Sequence, residues 1–184
     1  MEEEVAALKS EMADAKVTEF ASMTFYKGTL CGKDAVVVRS GIGKVNAAIC
    51  AQILVDKFGV DTLINTGIAG SLDARIDIGD MVISTDAVHH DMDATIFGDA
   101  IGQVPRMDTR TFPADPHLVE LAVKANEKAN PQIHTFTGRV ASGDQFISSG
   151  EVKARIVENF QALCTEMEGA GIAHAAYLNK VSYV

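Results

Sequence analysis

The sequence contains little that could cross-link the chain. It has 3 cysteines, 4 prolines and no tryptophan in 184 residues. The cysteines, Cys31, Cys50 and Cys164, are odd in number, far apart and without a C-x-x-C pair. This spacing indicates neither a disulfide framework nor a structural zinc site. Unpaired thiols are typical of a reducing compartment, so the sequence predicts a cytoplasmic location.

Long apolar runs and positive charge are also scarce. No apolar stretch approaches the ~18 residues of a membrane-spanning helix, and the opening Met-Glu-Glu-Glu does not have the features of a signal peptide. The chain carries 16 basic and 25 acidic residues, which give a net charge of -9. Because this charge repels phosphate backbones, we predict no nucleic-acid partner, and the lack of a long apolar run predicts no membrane partner. Small molecules remain as the ligand class.

The pattern of apolar residues predicts a single α/β domain over residues 1–184, with a mixed central sheet flanked by helices on both faces. Helices are predicted over 2–15, 117–128 and 151–159, after a glycine turn at 40–44, and after Glu168. Antiparallel strands are predicted over 17–39, with turns at Lys27-Gly28 and 32–34, and further strands over 62–67, 81–84, 133–141, 161–164 and 181–184.

Two carboxylates stand at the predicted junction between a strand and the last helix. Glu166 and Glu168 flank Met167, and glycines follow. If this segment is extended, the two carboxylates share one face, where one could meet a ligand and the other support it. Ligands of open α/β sheets bind beyond such strand ends. The alternative is that both acids open a helix, where the helix dipole favours them.

A second strand-to-loop junction places an aromatic ring near small polar residues. Phe146 follows Ser142, Gly143 and Asp144. An aromatic ring near paired carboxylates suits a ligand with one planar end and one hydroxylated end. The glycine turn at 40–44 offers either an anion cradle or only a tight strand-to-helix turn.

The segment His89-His90-Asp91-Met92-Asp93 is the stretch that most resembles a set of metal ligands. In an extended chain His89, Asp91 and Asp93 would point the same way. Contiguous ligands bend a chain awkwardly, however, and no fourth ligand is evident. We therefore expect no metal site here.

Segments spread over nearly the whole chain resemble the 5'-methylthioadenosine/S-adenosylhomocysteine nucleosidase family, within the purine nucleoside phosphorylase superfamily. The matching segments, in the order of the family, are MEEEV (1–5), SGIGKV (40–45), INTG (64–67), AG (69–70), IGDMV (78–82), HDMD (90–93), FG (97–98), SGDQFI (142–147) and EME (166–168). The resemblance implies hydrolysis of the N-glycosidic bond of methylthioadenosine or adenosylhomocysteine, with release of adenine and without a metal or organic cofactor.

The resemblance also implies roles for individual residues. Glu4 would activate the attacking water, and Glu168 would bind the ribose hydroxyls while Met167 packs on the ribose. Phe146 would stack on adenine, and Ile147 would hold it through its backbone. The remaining residues that the resemblance places at the substrate are Ile42, Ile68, Phe97 and Glu166. Two positions depart from the family, since Ile68 stands where Ser is common and Asp99 where many relatives have Tyr.

The family has more chain at both ends than this sequence. It begins with a strand and glycine turn ahead of Met-Glu-Glu-Glu, and it continues past Val184 with a Ser-Asp pair whose Asp protonates the leaving purine. We therefore expect that the domain is incomplete at both ends and lacks this general acid. Two alternatives remain: a phosphorylase or futalosine-type nucleosidase, and a catalytically incomplete nucleoside-binding module.

The segment at 94–98 predicts a homodimer. A loop within a monomer would expose Ile96 and Phe97 to water, whereas a two-fold interface would bury them. In the family, part of this loop enters the substrate pocket of the neighbouring subunit, as would Phe97. The alternative is that the loop folds back on its own core.

Overall fold

The computed structural model describes residues 2–184, with side chains from residue 5 onward. In chain order its elements are α1 (Glu2–Glu11), β1 (Ala13–Phe20), β2 (Met23–Leu30), β3 (Lys33–Val38), α2 (Lys44–Phe58), β4 (Thr62–Leu63), β5 (Gly70–Ser71), β6 (Met81–His89), a 3₁₀ turn (Thr95–Phe97), β7 (Phe112–Pro113), α3 (Pro116–Ala129), β8 (Thr135–Ser142), α4 (Gly150–Phe160), β9 (Cys164–Glu166), α5 (Gly169–Asn179) and β10 (Ser182–Tyr183).

The strands form three hydrogen-bonded groups. β1, β2 and β3 make an antiparallel sheet, and β4 pairs in parallel with β10. The largest sheet has the order β5-β9-β8-β6-β7, in which β6, β8 and β9 run parallel and the two outer strands run antiparallel. The predicted mixed α/β architecture is confirmed.

Helices cover both faces of the five-stranded sheet, because neighbouring residues of β6 point to opposite sides. Ala87 packs in one buried cluster with the alanines of α5, whereas Val88 packs in another with Ile156 and Phe160 of α4. Small side chains let α5 approach α2 closely. A Cβ atom at Gly171 would lie 2.7 Å from the backbone oxygen of Lys44.

The first segment differs from the prediction. The helix predicted over 2–15 ends at Glu11, and β1 begins at Ala13. The predicted turn at Lys27-Gly28 is wrong, since both residues lie within β2 and pair with β3. Gly28 stands there because a Cβ atom would lie 2.5 Å from the backbone oxygen of Ala13. The first turn instead uses Ala21 and Ser22, which have left-handed φ angles of 49° and 60°.

Later elements match the prediction more closely. The helices predicted at 117–128 and 151–159 are observed within one residue at each end, as α3 and α4. Asp115 caps α3 by accepting hydrogen bonds from the backbone N–H groups of His117 (2.9 Å) and Leu118 (3.3 Å). Ser149 is the N-cap residue of α4 but makes no side-chain cap bond. The strand predicted over 62–67 is only two residues long, and none of the described helices is long and apolar enough to cross a membrane.

Candidate functional site

Three parallel strands end side by side at one edge of the large sheet. His89 of β6 pairs with Ser142 of β8, and Ser142 pairs with Glu166 of β9. These are the last residues of the three strands. The carboxyl ends of parallel strands are the usual ligand-binding edge of an α/β sheet, so this row defines the candidate site.

Glu166 is held entirely by groups of the protein. Its Oε1 accepts a hydrogen bond from the hydroxyl of Ser142, and its Oε2 accepts the backbone N–H groups of Glu168 (2.8 Å) and Gly169 (2.7 Å). The Ser142 hydroxyl in turn accepts the N–H of Ala170 at 2.7 Å. Burial raises the pKa of Glu166, although these hydrogen bonds act in the opposite direction. Glu166 therefore fixes the start of α5.

Glu168 has a different environment. The strand ends at Glu166, and Glu168 is the N-cap residue of α5, with φ of -127° and ψ of -40°. The extended segment that would place both carboxylates on one face is therefore absent, and that expectation is wrong. Glu168 Oε1 accepts the backbone N–H of Gly43 at 2.8 Å. Within the described part of the chain, Oε2 accepts no hydrogen bond.

The glycine turn at 41–44 lies against these strand ends. Gly41 and Gly43 have φ angles of 84° and 94°, a left-handed region that favours glycine. The N–H groups of Gly43 and Lys44 donate to the carboxylates of Glu168 and Asp144, each at 2.8 Å. The turn is thus both of the predicted alternatives at once, a tight turn and an anion cradle, and the anions it holds belong to the protein.

Asp91 connects the turn to the loop after β8. One carboxylate oxygen forms an ion pair with the Lys44 ammonium, and the other accepts the N–H of Asp144 at 2.8 Å. Burial alone would raise the pKa of Asp91, but the bonds from Lys44 and Asp144 hold it below its ordinary value. We call Lys44, Asp91 and Asp144 the clasp. Sequence reasoning did not identify the clasp, since Asp91 and Asp144 lie 47 and 100 positions after Lys44 along the chain.

The candidate metal ligands do not converge. His89 Nε2 lies 3.3 Å from His174 Nδ1, Asp91 belongs to the clasp, and Asp93 Oδ1 accepts bonds from the N–H (3.0 Å) and hydroxyl (2.7 Å) of Thr95. Among the described side chains, no group of three His, Cys, Asp or Glu residues could hold a metal ion.

The other candidate residues fall into two groups. The exposed ones leave large apolar surfaces in water: Ile42 is 69% exposed, Ile68 73%, Phe97 85% and Phe146 86%. Met167 is half-buried, and Ile147 packs against the apolar cluster beneath α4. Glu4 lies in α1, but its side chain is outside the part that the structure describes. Phe97 lies on the 3₁₀ turn, eight positions after His89 at the end of β6.

The sequence model of the phosphorylase superfamily matches residues 1–184. A 5'-methylthioadenosine/S-adenosylhomocysteine nucleosidase from Colwellia psychrerythraea is 44% identical, and the match covers 100% of this chain and 77% of the relative. The chain belongs to the 5'-methylthioadenosine/S-adenosylhomocysteine nucleosidase family. The resemblance predicted from the sequence is therefore confirmed.

Solved structures of this nucleosidase family have the same fold. The enzyme from Neisseria meningitidis in complex with methylthio-immucillin-A superposes with a TM-score of 0.95 at 38% identity, over 100% of this chain and 79% of that one. The Colwellia psychrerythraea nucleosidase in complex with adenine gives a TM-score of 0.94 at 44% identity, over 100% and 76% of the two chains.

Proposed function

We propose that this protein hydrolyses the N-glycosidic bond of 5'-methylthioadenosine or S-adenosylhomocysteine and releases adenine. The observation that carries the proposal is the environment of Glu168. Gly43 holds one of its carboxylate oxygens at the carboxyl edge of the parallel strands, and no described residue binds the other. A fixed carboxylate with one free oxygen is suited to a vicinal diol such as that of ribose.

The planar end of the ligand has a matching surface. Phe146 follows the end of β8 by four positions and is 86% exposed. An aromatic ring left in water is suited to stacking on a purine. The relatives solved with adenine and with methylthio-immucillin-A support this choice of ligand. In this proposal Ile42 and Ile68 add apolar contacts, and Ile147 presents its backbone to the base.

The reaction needs a nucleophile and a proton for the leaving group. Water attacks the anomeric carbon, the bond to the purine nitrogen breaks, and the purine takes up a proton. We assign activation of the water to Glu4 by resemblance to the family. Among the residues that the structure describes, we assign no general acid. Glu168, close to the ribose, supports the positive charge that develops on the sugar.

The protein is further proposed to act as a cytoplasmic homodimer. Cys31, Cys50 and Cys164 are all free thiols, as in a reducing compartment. Ile96 and Phe97 are 88% and 85% exposed on the 3₁₀ turn, which favours burial at an interface over packing on their own core. In the dimer Phe97 would complete the pocket of the neighbouring subunit.

An assay in phosphate-free buffer tests the activity. Purified protein incubated with 5'-methylthioadenosine should release adenine, measured by chromatography, together with the free thioribose. Glu168→Gln should lower kcat/KM by about 10 to 100-fold, because a charge-assisted hydrogen bond to the ribose is worth about 1.5–3 kcal/mol. Glu158→Gln, which removes an exposed carboxylate from α4, is the matched control and should retain activity.

Two results would contradict the proposal. Absence of adenine with the wild-type protein would favour the nucleoside-binding module. A requirement for added phosphate, with a sugar 1-phosphate as product, would make the protein a phosphorylase.

A further inference from the structure

We propose that Asp91 is a positioning residue for Glu168, the carboxylate that binds the ribose. Asp91 acts through the clasp and the glycine turn. This inference rests on the proposed function. Asp91 does not need to touch the substrate, because both of its oxygens are already engaged by Lys44 and Asp144. Its effect would reach the ligand through Gly43 and Glu168.

The clasp is a closed ring of interactions between three separate parts of the chain. Lys44 begins α2, Asp91 follows β6, and Asp144 follows β8. The Lys44 ammonium pairs with Asp91, the N–H of Asp144 donates to Asp91 at 2.8 Å, and the N–H of Lys44 donates to Asp144 at 2.8 Å. The Lys44 and Asp91 side chains are only 16% and 20% exposed. A shielded, hydrogen-bonded pair of this kind holds its geometry better than an ion pair in open solvent.

The glycine turn needs such support from outside. Its N-cap residue, Gly43, has no side chain to cap α2, and the first turn of α2 carries no acidic residue. Asp144 replaces the missing cap, because its Oδ1 accepts the N–H of Lys44. Asp144 is itself held by Asp91. Without the clasp, two glycines with left-handed φ angles would be free to adopt other conformations.

The turn is directly connected to Glu168. The N–H that holds Glu168 Oε1 belongs to Gly43, and the next N–H along the chain belongs to Lys44 of the clasp. A shift of Lys44 therefore moves the donor on which Glu168 depends. On its other side the turn has no room to move, because α5 packs closely against the Lys44 backbone at Gly171. The clasp and the packing of α5 together therefore fix the position of the Gly43 N–H, and with it the orientation of the Glu168 carboxylate.

A double-mutant cycle tests the inference. Asp91→Asn should lower kcat/KM for 5'-methylthioadenosine about tenfold, mainly by raising KM, because the ribose is held less well. In the Glu168→Gln background the same change should have almost no further effect, since the group it positions is already disabled. Asp56→Asn, which removes an exposed carboxylate from α2, is the matched control and should leave the kinetics of the wild-type protein and of Glu168→Gln unchanged.

Other results overturn the proposal. If the fold-losses of kcat/KM caused by Asp91→Asn and Glu168→Gln multiply in the double mutant, Asp91 acts independently of Glu168. If Asp91→Asn has wild-type kcat/KM, it does not position the site at all. If Asp91→Asn does not fold, Lys44→Met tests the same connection while keeping the aliphatic part of the side chain.

Amide hydrogen exchange separates this inference from the proposed function. In the ligand-free protein, Asp91→Asn should accelerate exchange at residues 43 and 44, and Asp56→Asn should not. This result does not depend on the reaction. Wild-type protein without activity but with faster exchange in Asp91→Asn would reject the proposed function and keep the clasp, whereas unchanged exchange would reject the clasp.

Discussion

Buried His89, the last residue of β6, faces the half-buried His174 of α5. The two ring nitrogens lie 3.3 Å apart, and the ring of Phe112 stacks on His174 with centroids 4.5 Å apart. Nδ1 of His89 has no hydrogen-bond partner in the described part of the chain. Burial, with the positive charge of Lys44 nearby, lowers the pKa of His89 from 6.5 to about 4. The folded protein therefore keeps His89 neutral.

This pair predicts a loss of stability in mild acid. The pKa of His89 is lower in the folded state, so the unfolded chain binds more protons between pH 6.5 and about 4. The stability is complete above pH 6.5 and falls as the pH falls toward 4. Between pH 7 and pH 5 the free energy of unfolding should fall in both proteins, but by about 2 kcal/mol less in His89→Gln than in the wild type. Urea unfolding at the two pH values measures this difference.

The exposed His117 provides the control for that measurement. His117→Gln should keep the pH dependence of the wild-type protein. An equal slope for His89→Gln and wild type would show that His89 does not titrate abnormally.

At this scale, sequence reasoning reached only part of the site. Glu166 and Glu168 could be predicted from the sequence. Two acidic residues between the end of a strand and the start of a helix are a pattern of neighbouring residues. Their division of roles could not be predicted, because it depends on where β9 stops. The clasp and the pair of His89 and His174 were also missed, since each joins residues that only the folded chain brings together.

Among the elements, α3 and α4 offer a direct comparison of helix capping. Both start with an N-cap residue in an extended conformation, but only Asp115 of α3 makes side-chain cap bonds. Asp115 Oδ2 also accepts the hydroxyl of Ser182 in β10 at 2.7 Å. It therefore connects α3 to β10, the partner of β4, as well as capping the helix.

This difference predicts unequal effects of two alanine substitutions. Asp115→Ala should destabilise the protein by about 1–2 kcal/mol, since it removes the cap and the bond to Ser182. Ser149→Ala, at the equivalent position of α4, should change stability by only about 0.5 kcal/mol or less. Thermal unfolding checks both values. Equal effects would mean that the Asp115 bonds do not contribute in solution.

The elements also show where sequence patterns succeed and fail. The ends of α3 follow from local chemistry, with Asp115 and Pro116 at its start and Asn130 after its end. The first turn of the antiparallel sheet could not be predicted. Ala21 and Ser22 take left-handed φ angles that their own preferences oppose, and the pairing of β1 with β2 imposes them.

At the scale of the whole molecule, the exposed 3₁₀ turn tests the proposed dimer. Phe97→Ala should weaken dimerisation, measured by sedimentation, and should raise KM for 5'-methylthioadenosine. Each buried Phe side chain contributes about 1.5–3 kcal/mol, so the two-fold interface would lose this amount twice. Ile78→Ala, which shortens another fully exposed apolar side chain, is the control and should have no effect.

The dimer proposal has a clear contrary result. Wild-type protein that sediments as a monomer at micromolar concentration, with the same KM in Phe97→Ala, would show that the turn serves neither association nor the neighbouring site.

The row formed by His89, Ser142 and Glu166 limits how the chain can change in length. Its members are aligned by strand pairing, and side chains alternate along each strand. One residue inserted or deleted within β8 would turn Ser142 away from Glu166 and shift the loop that carries Asp144 and Phe146. A substitution in β8 or β9 leaves the strand pairing in place, whereas an insertion there would shift the pairs that follow it. Length differences among nucleosidases of this family should therefore fall outside residues 135–142 and 164–166.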